Sequence, residues 1–169
     1  MSATVTLAEP DLQRQVSALL PDLRAFARFL IRDRIAADDL VQDAVVRALT
    51  ALDQFQPGTN LKAWLFTILR NHFYEQTRRR KREARAMLAF SDEDGPCNPE
   101  QHARAELQDL QRVIFELPPL QREALILIGA QGLTHEEAAA ICGVPEGTMK
   151  ARLSRARAAL SQKMTIAVT

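Results

Sequence analysis

Apolar residues fall at steps of three and four in most stretches between Leu12 and Leu160, and the pattern lapses only at prolines, glycines and strongly polar or charged runs. That period belongs to one face of an α-helix. Only six glycines and eight prolines interrupt 169 residues, so strands have little place here. The first stretch aligns Leu12, Val16, Leu19, Leu23, Phe26, Ala27 and Leu30, with Pro21 predicting a kinked helix or a helical pair. From Asp38 onward, Leu40, Val41, Ala44, Val45, Ala48, Leu49 and Leu52 repeat the step behind acids that suit a helix N-terminus. After a break at residues 53–59, Asn60 is placed to cap a third helix running from Leu61 toward Arg85, with Leu61, Trp64, Leu65, Ile68 and Leu69 as its buried stripe. Three such stripes can close one core.

Between Phe90 and Pro99 the periodicity gives way to Ser, Asp, Glu, Gly, Pro and Asn, the composition of a linker. Asn98, Pro99 and Gln101 then predict the start of a helix through Leu107, Leu110, Ile114 and Leu117, which Pro118 and Pro119 end. Leu120 to Ala130 predicts another helix before Gly132. Thr134 and Glu137 form a capping box for a short helix through Cys142, Gly143 permits a tight turn, and Pro145 opens a last helix with Met149, Leu153, Ala156 and Leu160 inside. That is a helix-turn-helix, and Thr148, Lys150, Ala151, Arg152, Ser154 and Arg155 are expected on the outer face of its second helix, able to reach base edges and phosphates in a major groove. The predicted fold is therefore all-α, with two small helical domains, residues 1–86 and 103–169, joined by a flexible linker at 87–102.

The net charge of +1 conceals a segregated distribution. Residues 70–85 carry seven Lys or Arg against Glu75 and Glu83, including the run Arg78, Arg79, Arg80, Lys81, Arg82. Residues 145–163 carry five against Glu146, whereas 33–53 and 91–109 are acidic. Two basic blocks set apart by acidic ones suggest two surfaces for a polyanion. Cys97 and Cys142 make no disulfide framework and no CxxC pair, which fits a reducing cytosol. No apolar run approaches membrane-spanning length, and the first nine residues lack the pattern of a signal peptide. His72 and Glu75 lie one turn apart without a third ligand, and neither a phosphate loop nor a nucleophile elbow occurs, so no metal, cofactor or enzymatic activity is expected.

Three segments in this order carry a resemblance over nearly the whole chain. They are Asp39-Leu40-Val41-Gln42-Asp43, the run from Ala63 to Asn71, and the run from Gly147 to Arg157. Together they resemble the two conserved regions of extracytoplasmic-function sigma factors, and residues 55–60 and 123–129 resemble the general-stress branch of that family. The resemblance implies a dissociable specificity subunit of bacterial RNA polymerase, working in the cytoplasm, that recognises and opens promoter DNA.

Under that resemblance, Asp38, Asp39, Gln42 and Asp43 dock on the clamp helices of the polymerase's largest subunit, and the second region meets the flap. Phe55, Asn60, Phe66, Arg70, Asn71 and Tyr74 are expected at the minus 10 element, where an aromatic, amide-lined face can offset the lost stacking of a flipped base. Arg78, Arg79 and Arg80 would hold phosphates. Thr148, Lys150, Arg152, Ser154 and Arg155 would read the minus 35 element, although Ala151 replaces a serine common in the family and puts base preference there in question. An anti-sigma factor is an implied partner, and one that clamped the halves together would hide both polymerase surfaces. Two other readings of the residues are a dimeric helix-turn-helix regulator and a sigma-like decoy that binds an anti-sigma factor.

Overall fold

A computed structural model describes residues 9–87 and 105–167, all of whose regular elements are helical. The predicted cap at Asn98 and the linker between Phe90 and Pro99 lie outside the described residues. Helix α1 spans Glu9–Ala18 and α2 spans Leu20–Leu30. Pro21 sits in the first turn of α2, where a missing N–H costs nothing, so the chain restarts there instead of continuing straight. Helix α3, Arg34–Thr50, begins four residues before the predicted start because Asp33 caps it, its Oδ1 accepting from the Ile35 N–H at 3.1 Å. Helix α4 runs from Leu61 to Met87, and the Asn60 Oδ1 accepts from the Ala63 N–H at 3.2 Å.

These four helices share a core of Val16, Leu23, Phe26, Leu40, Ala44, Leu65, Phe66 and Leu69. Phe26 and Phe66 stack at 5.0 Å between ring centroids, an arrangement worth about 0.5–1.5 kcal/mol beyond area burial. The Arg47 guanidinium donates to Glu75 at 2.9 Å and braces α3 against α4.

The second bundle holds α5 (Ala105–Phe115), α6 (Pro119–Ala124), α7 (His135–Cys142) and α8 (Glu146–Ala167). Pro118 and Pro119 separate α5 from α6 as predicted. The α-helix expected to continue to Ala130 instead widens into a π-helical turn at Leu125–Ala130. The capping box is present, with the Glu137 N–H donating to Thr134 Oγ1 at 3.1 Å and the Thr134 N–H donating to Glu137 at 2.9 Å. Gly143 ends α7 at φ +64°, and a Cβ there would meet no atom within 4 Å. Backbone conformation, not space, therefore calls for glycine at the turn. Met149, Leu153 and Ala156 face inward as expected, while α7 and α8 make the helix-turn-helix.

The two bundles pack directly together, α4 against α7 and α2 against α6 and the π turn. Phe29 of α2 stacks on Phe115 of α5 at 6.1 Å, and Arg32 and Arg122 lie 4.8 and 4.6 Å from the same ring.

Candidate nucleic-acid interface and docking faces

Helix α4 is buried on the side of Leu61, Leu65, Leu69 and His72, with Phe66 on one flank and half-buried Trp64 and Ile68 on the other. The predicted stripe was centred too far toward Trp64. Phe66, expected on the outer face, is 0% exposed because Phe26 of α2 supplies it with an aromatic partner that the periodicity of α4 could not reveal. Phe55, expected beside a flipped base, is likewise buried and lies 5.3 Å from the Trp64 ring. Neither ring presents a stacking surface in this arrangement.

What remains on the outer face is polar. Ala63, Thr67, Arg70 and Tyr74 fall within one 60° sector at 100° per residue. Thr67 satisfies its hydroxyl locally by donating to the Ala63 carbonyl at 2.8 Å. Arg70 and Tyr74 reach across the seam to one carboxylate of the second bundle. The Arg70 guanidinium donates to Glu123 through Nε at 3.2 and 3.3 Å and through Nη2 at 3.1 Å, while the Tyr74 hydroxyl donates at 3.0 Å. The same guanidinium lies 4.5 Å from the Tyr74 ring centroid. Beside them the Asn60 amide donates to Glu137 at 2.7 Å. Lys62 bridges Asp22 at 3.2 Å and the Gln131 carbonyl at 3.0 Å. Asn71 and the run Arg78, Arg79 and Arg80 stay exposed, with Arg79 paired to Glu83 at 3.0 Å one turn on.

Burial disfavours the Arg70 charge, but the Glu123 carboxylate more than offsets it, so the guanidinium is held above its ordinary range. Burial, then Glu123, pushes the Tyr74 phenol up to about 12. Burial and the same carboxylate push the Cys142 thiol up to about 11, and its Sγ lies 3.9 Å from Glu123. The Thr134 N–H and the Asn60 amide hold Glu137 below the usual carboxylate range.

Tyr74 is the sole tyrosine of the chain, so phenolate absorbance reports this one group. Its folded value exceeds its unfolded one; the stabilisation it carries is complete below about pH 10 and is lost as pH rises through about 12. Ultraviolet titration is expected to give an apparent pKa near 12 for the wild-type chain. In Glu123→Gln, which removes the carboxylate, it should fall toward the ordinary value of about 10. An unshifted midpoint would contradict the contact.

On α3 the residues Ile35, Asp39, Gln42, Val46 and Leu49 recur every three or four positions along the side opposite the core, and all are exposed. Ile35 is 74% exposed and Val46 63%. Leu49, predicted in the buried stripe, belongs instead to this outer row at 42%. Asp39 and Gln42 point outward as expected. Asp38 is half-buried, its Oδ1 enclosed without a hydrogen-bond partner among the described residues. Asp43 turns toward α4, its carboxylate 3.2 Å from His72 Nε2.

On α8, Thr148, Lys150, Ser154 and Arg155 are exposed, and Lys150 pairs with Glu146 at 2.8 Å. Arg152 departs from expectation. It lies only about 40° around the helix from buried Ala156 and is half-buried, with Nη1 enclosed. Glu123, Glu137 and Lys62 did not figure among the expected site residues. Glu123 left a signal: it is an acid at the head of the apolar run Ala124 to Ile128, at a position that three-and-four spacing with Ile126 and Leu127 puts on the buried face. Among the described residues no helix is long and apolar enough to cross a membrane, and no cluster of three or more His, Cys, Asp or Glu is arranged for a metal.

The sequence matches the family Sigma-70 region 2 over residues 15–83 and the family Sigma-70, region 4 over residues 107–160. It is 47% identical to the ECF RNA polymerase sigma factor EcfG of Rhodopseudomonas palustris (strain TIE-1) over 89% of this chain and 83% of the relative. It is 34% identical to the ECF RNA polymerase sigma factor SigC of Mycobacterium tuberculosis (strain CDC 1551 / Oshkosh), covering 88% and 80% of the two chains. Among solved structures, the sigma factor RpoE in complex with the anti-sigma factor NepR from Bartonella quintana superposes with a TM-score of 0.79 at 46% identity, over 92% of this chain and 98% of that one. CnrH in complex with the cytosolic domain of CnrY gives 0.69 at 29% identity, over 94% and 90%.

Proposed function

This chain belongs to the extracytoplasmic-function sigma factors of the sigma-70 family, which confer promoter-specific initiation on RNA polymerase and are not enzymes by themselves, and we propose how its surfaces divide that work. Residues 1–86 dock on the clamp helices of the polymerase's largest subunit through the outer row of α3 and capture the minus 10 strand on α4. Residues 103–169 meet the flap and read the minus 35 element through α8, and residues 87–102 set the reach between them. The observation that carries this reading is the α3 row, where exposed Ile35, Val46 and Leu49 flank Asp39 and Gln42. Three large apolar side chains left in water beside Asp39 mark a protein-docking face.

On α4 the minus 10 contacts are Asn60, Arg70, Asn71 and Tyr74, with Arg78, Arg79 and Arg80 on phosphates. On α8 the minus 35 contacts are Thr148, Lys150, Ser154 and Arg155. Similarity to EcfG and to the NepR-bound RpoE supports a place in the general-stress subgroup, a NepR-like anti-sigma partner and a cytoplasmic location. Purified chain added to core polymerase should yield transcripts from members of a promoter library that core alone ignores; absence of chain-dependent transcripts would refute the reading. Arg155→Ala should weaken minus 35 recognition by about 1–3 kcal/mol in footprinting while leaving core affinity unchanged. Unaltered promoter selectivity would remove Arg155 from the contact set.

A further inference from the structure

We infer that Glu123 and Glu137 form an intramolecular latch, standing in for nucleic acid on the outer face of α4 while leaving the α3 docking row open. The inference rests on the assignment of Asn60, Arg70 and Tyr74 to strand capture. Each of these three gives its polar group to a carboxylate of the second bundle, Arg70 and Tyr74 to Glu123 and Asn60 to Glu137. A carboxylate offers a guanidinium the same paired acceptor oxygens that a phosphate does, so the donors cannot serve both at once.

Glu123 is also fitted to the closed arrangement. It is 2% exposed, and within its own bundle its neighbour is the weakly donating Cys142 thiol, while its strong donors come from α4. A buried carboxylate is costly unless paired with good geometry, so the seam holds Arg70 and Glu123 to each other and separation needs a replacement anion on α4. The stacked Phe29 and Phe115 rings close the other end of the seam.

The closure is selective. Ile35, Asp39, Gln42, Val46 and Leu49 on α3 remain exposed, as do Arg78, Arg80 and the Thr148, Ser154 and Arg155 face of α8. A partner that clamped the halves together is expected to hide both polymerase surfaces, whereas this intramolecular contact hides strand capture alone among the surfaces assigned to residues 1–86. Core polymerase can therefore engage α3 of the latched chain before α4 is free for DNA.

The test is a full-length Glu123→Gln/Glu137→Gln variant. Glutamine preserves shape and can retain the capping box at Thr134, while the charge that competes with phosphate is lost. Binding of a fluorescein-labelled, randomised single-stranded 20-mer is measured by anisotropy without polymerase, alongside the radius of gyration from small-angle scattering. If the open form is a minor population in the wild type, releasing it raises apparent affinity by the inverse of that fraction, and about tenfold or more is expected with a larger radius. Phe115→Ala loosens the seam without touching either carboxylate and should shift both readouts the same way. It also decides the matter should the double variant lose its helical circular dichroism. Wild-type affinity and radius in the folded variants would overturn the latch. Chain-dependent transcription from core polymerase is scored separately, so its loss would indict the strand-capture assignment, whereas its persistence beside unchanged DNA affinity would indict the latch alone.

Discussion

Phe66→Ala is expected to lower the unfolding free energy by about 3–5 kcal/mol in equilibrium denaturation, the cost of removing a large aromatic side chain from a site that cannot collapse around the void. Phe66 is 0% exposed and stacks on Phe26, and Leu65 and Leu69 from its own helix are equally enclosed. The stability of a single small bundle is of the same order as that loss, so the variant should be largely unfolded at 37 °C or melt far below the wild type. A surface aromatic that stacks a base would behave in the opposite way, with unfolding changed by less than about 0.5 kcal/mol. A small stability change accompanied by loss of DNA binding would return Phe66 to the outer face.

Asp39→Arg is expected to weaken assembly with core polymerase by about 2 kcal/mol or more, roughly 30-fold, because it places a cation where an acidic, partly apolar row meets its partner. Asp39 stands on the exposed side of α3 between Ile35 and Val46, remote from the core. The helical signal and the melting temperature should therefore stay near wild type, which separates a docking defect from a folding defect. Asp43 is the less discriminating site. Its carboxylate meets His72, and its substitution would disturb the α3–α4 contact as well as any docking. Titration of labelled chain with core polymerase checks the Asp39 expectation, and equal affinities would detach Asp39 from the docking face.

Local chemistry made much of the fold legible. The Thr134 capping box, the Gly143 turn, the Pro21 restart and the double-proline break at 118–119 each act within a few residues, so each left its mark in the sequence. The helical faces were readable to within a step or two of rotation. Leu49 was misplaced and Trp64 lies at the edge of the core, because both flank a buried stripe and the width of such a stripe depends on which helix lies opposite. Phe66 shows the same limit at a functional face: whether an aromatic flank is buried or bare was decided by Phe26, forty residues away.

The seam was the least legible feature. Arg70 and Tyr74 lie about fifty residues from Glu123, and no periodicity connects them to it. Glu123 alone carried a hint, an acid on a helix face otherwise given to Ala124, Ile126 and Leu127. A charge in such a position asks for a buried partner, but the identity of that partner is tertiary information.

The most direct measurement is binding of the purified wild-type chain to core RNA polymerase by size-exclusion co-elution and fluorescence titration, with no anti-sigma factor and no DNA present. A stoichiometric complex that Asp39→Arg weakens and Glu123→Gln/Glu137→Gln leaves intact is expected, since the α3 row is open whether or not the seam is closed. Failure of the folded wild-type chain to associate with core under those conditions would contradict its role as a polymerase specificity subunit.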